Sequence, residues 1–310
     1  SQDEFERLKI IHNRNYGGSG GFTRGIIENL NEEKNDYVLL MDDDIDLDIT
    51  TLKRTHSLLG GLKAAYRESF VAGAMLKMEE PYIQYESTAY WNKIKICSLG
   101  HNFDLSKADA LVKNMSIGNY ENQYAAWWYC CIPLENIKKI GLPLPVFIKG
   151  DDLEYSLRNN KEILTLNGIG VWHEAFEKKN QPWINYFADR NMFIMNHYAE
   201  KCGFFTLVGS LFLRIMRRII YCKKIDLYMI NSSLYDYRHG LEYMTQKNVE
   251  EKLRRLYKPV INCNSIVLFG KLVINFIVII LNYKTINKSY LRFRKEKLSD
   301  SKFWNNYYEI

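Results

Sequence analysis

The apolar run Tyr37–Met41 stands between a charged stretch and three consecutive aspartates. A short unbroken apolar run bounded in this way predicts a buried parallel strand that ends at a functional edge. Similar patterns predict strands over Leu8–His12, Phe70–Met78, Tyr124–Ile132, Val146–Lys149, Ile163–Leu166 and Ile169–Trp172. Apolar positions return with helical spacing over Phe22–Leu30, Thr51–Tyr66 (with Thr50 as N-cap), Asp151–Asn160 and Trp183–Ala199. Asn13–Gly21, rich in Asn and Gly, reads as a turn, and residues 79–125 as a long excursion with short elements. Strands alternating with helices predict an α/β domain over residues 1–200.

The pattern changes after residue 200. Leu207–Ile220 is apolar with Arg214, Arg217 and Arg218 interleaved, and Val249–Tyr257 is charged and helical. Ile266–Leu281 is strongly apolar but carries Lys271 and Asn275, and its 16 residues fall short of the roughly 20 that span a bilayer. It reads as a buried or interfacial helix. The basic segment Lys288–Lys297 follows, with Tyr290, Leu291 and Phe293 among the charges. Residues 201–310 are therefore expected to form a basic, helical region.

Composition narrows the class. The chain has 310 residues, 47% hydrophobic and 25% charged, enough to bury a sizeable core, which excludes a disordered tail, a collagen-like repeat and a disulfide-framed miniprotein. The net charge of +6 is unevenly placed. Residues 1–200 hold 22 basic and 28 acidic side chains, and residues 201–310 hold 20 and 8. The basic third is expected to meet an anionic surface, and its aliphatic runs and lack of a nucleic-acid module favour lipid over nucleic acid. The six cysteines have no zinc-ligand spacing and read as free thiols of a reducing compartment. No secretory signal is visible near Ser1, so a cytoplasmic protein is expected.

Five motifs carry candidate chemistry. In Asn15-Tyr16-Gly17-Gly18-Ser19-Gly20-Gly21-Phe22 the glycines permit close backbone approach, and the helix that follows favours an anion such as a diphosphate. A flexible turn would have the same composition. Asp42-Asp43-Asp44 closes a strand, where ligands of open α/β sheets gather. In extended chain Asp42 and Asp44 share a face, and two convergent carboxylates call for a hard cation. Asp151 and Asp152 sit where a strand meets a helix, placed either to cap that helix or to take a proton from an alcohol. His173 ends Val171-Trp172-His173-Glu174 and could be a ligand, a base or a structural imidazole. Trp127 and Trp128, adjacent on a strand, point opposite ways, toward core or toward a sugar ring.

Taken together and in this order, these residues resemble a family-2 glycosyltransferase with the GT-A (Rossmann-like) nucleotide-sugar fold. The resemblance is greatest to bacterial galactofuranosyltransferases of the mycobacterial cell-wall type, and it covers residues 8–200. It implies a metal-dependent, inverting hexosyltransferase that uses a UDP-sugar, with UDP-galactofuranose favoured. UDP-galactose, UDP-glucose or dTDP-rhamnose are the alternatives. Asp42, Asp44 and His173 would hold Mn²⁺ or Mg²⁺, and Asp152 would be the catalytic base. Asn15, Gly17, Gly18, Ser19, Gly20, Asp43, Glu86, Trp127, Trp128 and Asp151 would contact donor or acceptor. The acceptor would be a cell-surface polysaccharide or lipid-linked glycan, met at the cytoplasmic face of the membrane. The family places a strand–helix–strand unit ahead of the glycine-rich turn, and against that pattern this sequence reads as N-terminally truncated. A non-catalytic glycan-assembly partner is the rival reading.

Overall fold

The computed structural model describes residues 8–32, 34–174, 181–198, 203–220, 223–245, 249–258 and 264–309. In chain order the first elements are α1 (Gly17–Glu32), β1 (Tyr37–Met41), β2 (Ile45–Asp46), α2 (Ile49–Gly61), β3 (Phe70–Ala72) and β4 (Ala74–Lys77). Then come β5 (Ile83–Glu86), β6 (Thr88–Trp91), β7 (Ile96–Leu99), β8 (Phe103–Asp104), α3 (Ala108–Met115), β9 (Gln123–Tyr124) and β10 (Tyr129–Pro133). After these lie α4 (Leu134–Ile140), α5 (Asp151–Asn159), β11 (Ile163–Leu164) and β12 (Gly170–His173). The helical remainder is α6 (Pro182–Tyr198), α7 (Phe204–Ile220), α8 (Lys224–Thr245), α9 (Val249–Tyr257), α10 (Ser265–Leu281), α11 (Tyr283–Lys297) and α12 (Ser301–Tyr308). The expected α/β organisation is present. Ala199, the expected last residue of α6, lies outside the described residues.

Three sheets form the α/β layer, in the orders β1-β10-β3-β11, β2-β12-β4-β5-β8 and β7-β6-β9. Strand β1 was expected to be parallel but pairs antiparallel with β10, from Tyr37↔Pro133 to Met41↔Tyr129. An apolar run encodes burial and not strand direction, so pattern alone could not separate the two. Among the described residues parallel pairing is confined to β11 with β3 and β12 with β4. No strand forms at Leu8–His12, where Leu8 and Ile10 are 61% and 72% exposed.

Four further expectations change. The glycine-rich turn is already the first turns of α1, which starts at Gly17. The Asn15 side-chain oxygen accepts from Gly17 N at 3.1 Å, so an Asx turn launches the helix. The helix expected over 51–66 ends at Gly61, and its cap is Asp48, whose side chain accepts from Thr50 N. Phe70–Met78 breaks at Gly73 into two strands of different sheets, and Gly73 itself lies against Tyr129, where a Cβ would be 2.7 Å from the ring. Val146–Lys149 is not a strand but an irregular strap, with Phe147 at φ 77° and Lys149 at φ 68°.

The helices after residue 200 share the core of the layer before it. One apolar cluster joins Ile26, Leu40 and Phe70 to Leu211, Tyr237, Tyr290 and Trp304. Helix α8 packs on α6 and α10 and kinks at Gly240. At the far end Tyr308 donates to Gly20 O at 2.7 Å, and Leu142 N donates to Leu298 O at 3.0 Å. Among the described residues no single helix is long and apolar enough to cross a membrane, while α10 and α11, bent by 74°, pass that test as a pair.

Candidate active site

Asp42, Asp43 and Asp44 leave β1 in a turn, and β2 begins at once. Strand β2 pairs with β12 so that Ile45 stands opposite His173. The ladder thus carries Asp44 to the histidine, and the aspartates converge through a turn instead of the extended chain expected. One ligand atom each from Asp42, Asp44 and His173 lie within 4.8 Å of one another. His173 is 2% exposed. Its Nδ1 lies 2.5 Å from Glu174 O, and a carbonyl only accepts, so Nδ1 carries the proton. In the neutral ring Nε2 then presents a lone pair toward Asp44 Oδ1, 3.1 Å away. Two lone pairs facing each other at that distance suit a shared cation, so the three residues fit a divalent metal. Asp43 is exposed on the turn.

The second pair of carboxylates opens α5. Asp151 is 8% exposed, and Asp152 Oδ1 accepts from Leu153 N at 2.7 Å. Burial pushes both carboxyls above the ordinary range. The negative charge of Asp42 pushes them the same way, while Lys149 pulls Asp152 back. A carboxyl held upward toward neutral pH is matched to proton transfer with an alcohol. Deeper in α5 the buried Glu154–Arg158 ion pair at 2.7 Å anchors the helix, and Arg158 also donates to the carbonyls of Ile140 and Leu142.

Glu86 reaches this cleft through a register shift. Strand β4 pairs Met75 with Glu86 but Leu76 with Gln84, so Tyr85 is an extra residue in β5. Without the bulge, Gln84 and Glu86 would share a face. With it, Gln84 lines a cavity of about 430 Å³ together with Leu76 and Trp172, and Glu86 turns to the Met75 side. Burial, with the Asp152 charge adding to it, pushes the Glu86 carboxyl up to about 7 against a hydrogen bond from Ser98. The buried Tyr124 hydroxyl feels both Asp152 and Glu86. Asp42, Glu86, Asp151 and Asp152 therefore act on one another within one acidic cleft.

The remaining candidates also make contacts within the fold. Ser19 is buried, its hydroxyl donates to Leu144 O at 2.5 Å, and its N–H donates to Phe147 O at 3.0 Å. Gly17, at φ 72°, leaves no room for a Cβ, which would lie 2.3 Å from Phe147 O. Gly18 has its nearest neighbour at 3.9 Å, and Gly20 packs on the Tyr16 Cβ. The glycine-rich segment thus braces the strap that leads to Asp151. Trp127 and Trp128 lie in a turn ahead of β10 and not on the strand expected over Tyr124–Ile132; they enter different apolar clusters, and both are buried. Trp128 Nε1 donates to Gly73 O at 2.9 Å, and the Trp127 ring meets Phe22 edge-on at 5.3 Å.

Sequence reasoning missed Lys149, Tyr124, Arg190 and Asn191 as members of this region. The last two lie on α6, more than 35 positions from Asp152, and no local pattern marks them.

Known proteins bear on the site as follows. No family model matches the chain. Galactofuranosyltransferase GlfT2 of Mycolicibacterium smegmatis is 31% identical over 205 residues, which is 61% of this chain and 31% of that protein. Galactofuranosyltransferase GlfT2 of Mycobacterium tuberculosis is 29% identical over 260 residues, 77% of this chain and 40% of that protein. The chain spans between a third and two fifths of the length of the curated relatives it matches, and its likeness is to glycosyltransferases and, among them, to galactofuranosyltransferases.

Proposed function

We propose that the chain carries the catalytic site of a metal-dependent, inverting hexosyltransferase with the GT-A fold. Galactofuranose from UDP-galactofuranose is the favoured donor sugar, and a hydroxyl of a polysaccharide or lipid-linked glycan is the acceptor. The observation that carries this reading is the convergence of Asp42, Asp44 and His173 on one point, beside a buried carboxylate pair that feels the charge of Asp42. The names of the relatives supply the sugar.

Asp42, Asp44 and His173 would hold Mn²⁺ or Mg²⁺. When bound, such an ion neutralises charge on a diphosphate leaving group. Asp152 accepts the proton of the acceptor hydroxyl. The acceptor oxygen bonds to the anomeric carbon as the bond from that carbon to the diphosphate oxygen breaks, so the configuration inverts and UDP leaves. Asp151 and Glu86 receive sugar hydroxyls, as protonated donors or charged acceptors according to pH. The wall of the cleft near Tyr124 keeps water from the proton.

The helical region would hold the enzyme at an anionic membrane face. Phe205, Phe212, Leu213 and Ile220 of α7 and Ile266, Ile274 and Leu281 of α10 are exposed apolar side chains, with Lys271 on the same helix as the latter. Such surfaces with flanking basic residues suit a headgroup layer. Lys223 and Lys224 are exposed between α7 and α8. Arg214, expected to join them, is instead drawn inward by Asp189 at 2.9 Å. The Arg218 side chain lies outside the described residues.

The test is UDP release from a panel of UDP-hexoses, with and without Mn²⁺, using bacterial lipid extract as acceptor. It is run on this chain and on a form with any upstream coding sequence included. Metal-dependent release with UDP-galactofuranose is expected. Absence of both release and metal-dependent UDP binding in every form sinks the proposal and favours a non-catalytic partner.

A further inference from the structure

The strap before Asp151 is held in a conformation that chain and solvent alone do not favour. Phe147, Lys149 and Gly150 all have left-handed φ, at 77°, 68° and 84°. For residues with a Cβ this costs on the order of 1 kcal/mol each. Local bonds are sparse, with Val146 N donating to Leu144 O at 2.8 Å and Ile148 N to Val146 O at 3.1 Å. The conformation must therefore be imposed from outside the segment.

Helix α6 supplies the restraint nearest Asp151, alongside Ser19 of α1, whose N–H donates to Phe147 O at 3.0 Å. Asn191 Nδ2 donates to the carbonyls of Ile148 and Lys149, each at 2.7 Å, and lies 3.2 Å from that of Val146. Arg190 Nη2 donates to the same Val146 carbonyl at 2.6 Å. Arg190 Nε lies 2.8 Å from Asn191 Oδ1. A guanidinium can only donate, so this contact fixes which end of the Asn191 amide faces the strap. Both side chains are buried, at 4% and 1% exposure. Asn191 also lies directly under Gly150, the residue preceding α5, where a Cβ would sit 3.8 Å from the Asn191 Cβ. The guanidinium in turn donates to the Tyr186 hydroxyl at 3.0 Å, Tyr186 donates to Asp236 of α8, and Lys252 of α9 meets the same carboxylate.

We propose that Arg190 and Asn191 are the positioning residues of the Asp151–Asp152 pair: their donors gather the carbonyls of Val146, Ile148 and Lys149 and so aim the first turn of α5 into the cleft. The pair stands apart from the Asp42, Asp44 and His173 group. It converts the helical region into part of the active-site frame. The proposal rests on reading Asp152 as the base, but its first readout does not.

The experiment compares wild type, Asn191→Ala, Asn191→Asp and Ser233→Ala in the full chain. Ser233 donates to Tyr186 O on the same helix at 2.9 Å and has no bond to the strap. Amide hydrogen exchange over residues 146–152 is read first. In both Asn191 variants it is expected to rise about 10-fold relative to β1 and β10, with Ser233→Ala unchanged there. Steady-state transfer is read second. Asn191→Ala is expected to lower kcat about 30- to 100-fold while donor KM stays within about 3-fold, because a misplaced base loses turnover without losing donor contacts. Should Asn191→Ala not fold, Asn191→Asp, which keeps the shape and removes the donors, carries both readouts. Unchanged exchange at 146–152 overturns the proposal. So does an equal loss of kcat in Ser233→Ala at matched Tm, since that would be the mark of general destabilisation. If wild type transfers no hexose, the functional reading fails, and hydrogen exchange still decides whether the clamp holds the strap.

Discussion

The cleft has two carboxylate stations, and they are built by opposite means. Asp42 and Asp44 are delivered by backbone pairing: β1 ends, the chain turns, and β2 docks on β12 beside His173. Asp151 and Asp152 are delivered by a strap with almost no backbone pairing of its own, held by side chains from α1 and α6. The first station depends on residues within a few positions of the ligands and on one ladder. The second depends on distant side chains that make no chemistry themselves. A ladder tolerates changes in its side chains, because its bonds are peptide to peptide. A clamped strap does not. The proposed metal station should therefore fail mainly when a ligand is removed, and the proposed base station should also fail when a remote support is removed.

The largest effect is expected from Asp152→Asn. Loss of the base should lower kcat about 1,000-fold, or about 4 kcal/mol of barrier, with Mn²⁺-dependent UDP binding within about 3-fold of wild type. Parallel loss of both by titration calorimetry and turnover would remove Asp152 from the role of base. Gly17→Ala presses on the strap from the other side. A Cβ at 2.3 Å from the Phe147 carbonyl cannot be absorbed by rotamer change, and about 3 kcal/mol of stability should be lost in urea unfolding.

Glu86→Gln tests the cleft through pH. The Glu86 carboxyl is raised from 4.5 to about 7 in the fold. The folded state then holds more protons than the unfolded one between these values, so stability falls as pH rises through that window. The neutral variant should remove about 3 kcal/mol of that fall, read as the change in unfolding free energy between pH 4.5 and pH 8 without metal. Asp151 and Asp152, raised by the same burial, leave a residual slope of the same sign. His173→Ala attacks the ladder station and should weaken Mn²⁺ binding on the order of 100-fold, while the exchange of strap amides stays unchanged. The smallest effect belongs to Gly21→Ala. Nothing lies within 4 Å of a Cβ there, so a gain of up to about 1 kcal/mol from helix propensity is expected. A loss at Gly21 as large as at Gly17 would mean that the whole glycine run is under one constraint, against the close contacts seen at Gly17 and Gly20 alone.

The contrast also separates what could be read from the sequence. The aspartate triplet and His173 were legible because each ends a short apolar run, and strand ends collect ligands in α/β folds. Helix α5 was legible from its acidic first turn. The strap was not, because Val146, Phe147 and Ile148 after two prolines have the composition of a strand, and distant residues of α1 and α6, among them Ser19, Arg190 and Asn191, decide otherwise. The glycine run was misread for a related reason. Glycine marks permissiveness and not its use, and here Gly17 and Gly20 are needed for close approach while Gly18 and Gly21 only continue a helix. Strand direction failed at β1 because burial is symmetric with respect to it. Helix α8, central to the helical region, went unread because Asp226, Asn231, Asp236 and Arg238 interrupt its apolar period.

The extra residue at Tyr85 has a consequence for how relatives should be compared. Position along a strand acts like the parity of a number, and the bulge changes that parity once, between Gln84 and Glu86. Were the same residues paired without the bulge, Gln84 and Glu86 would fall on one face, whereas removal of Tyr85 would leave them opposite Leu76 and Met75 as they are now. Scanning by substitution never samples that change. A relative that kept every residue type of this segment but paired it without the bulge would place Gln84 and Glu86 on the same face, so the register of the Ile83–Glu86 segment shapes the acidic cleft as much as its residue types do.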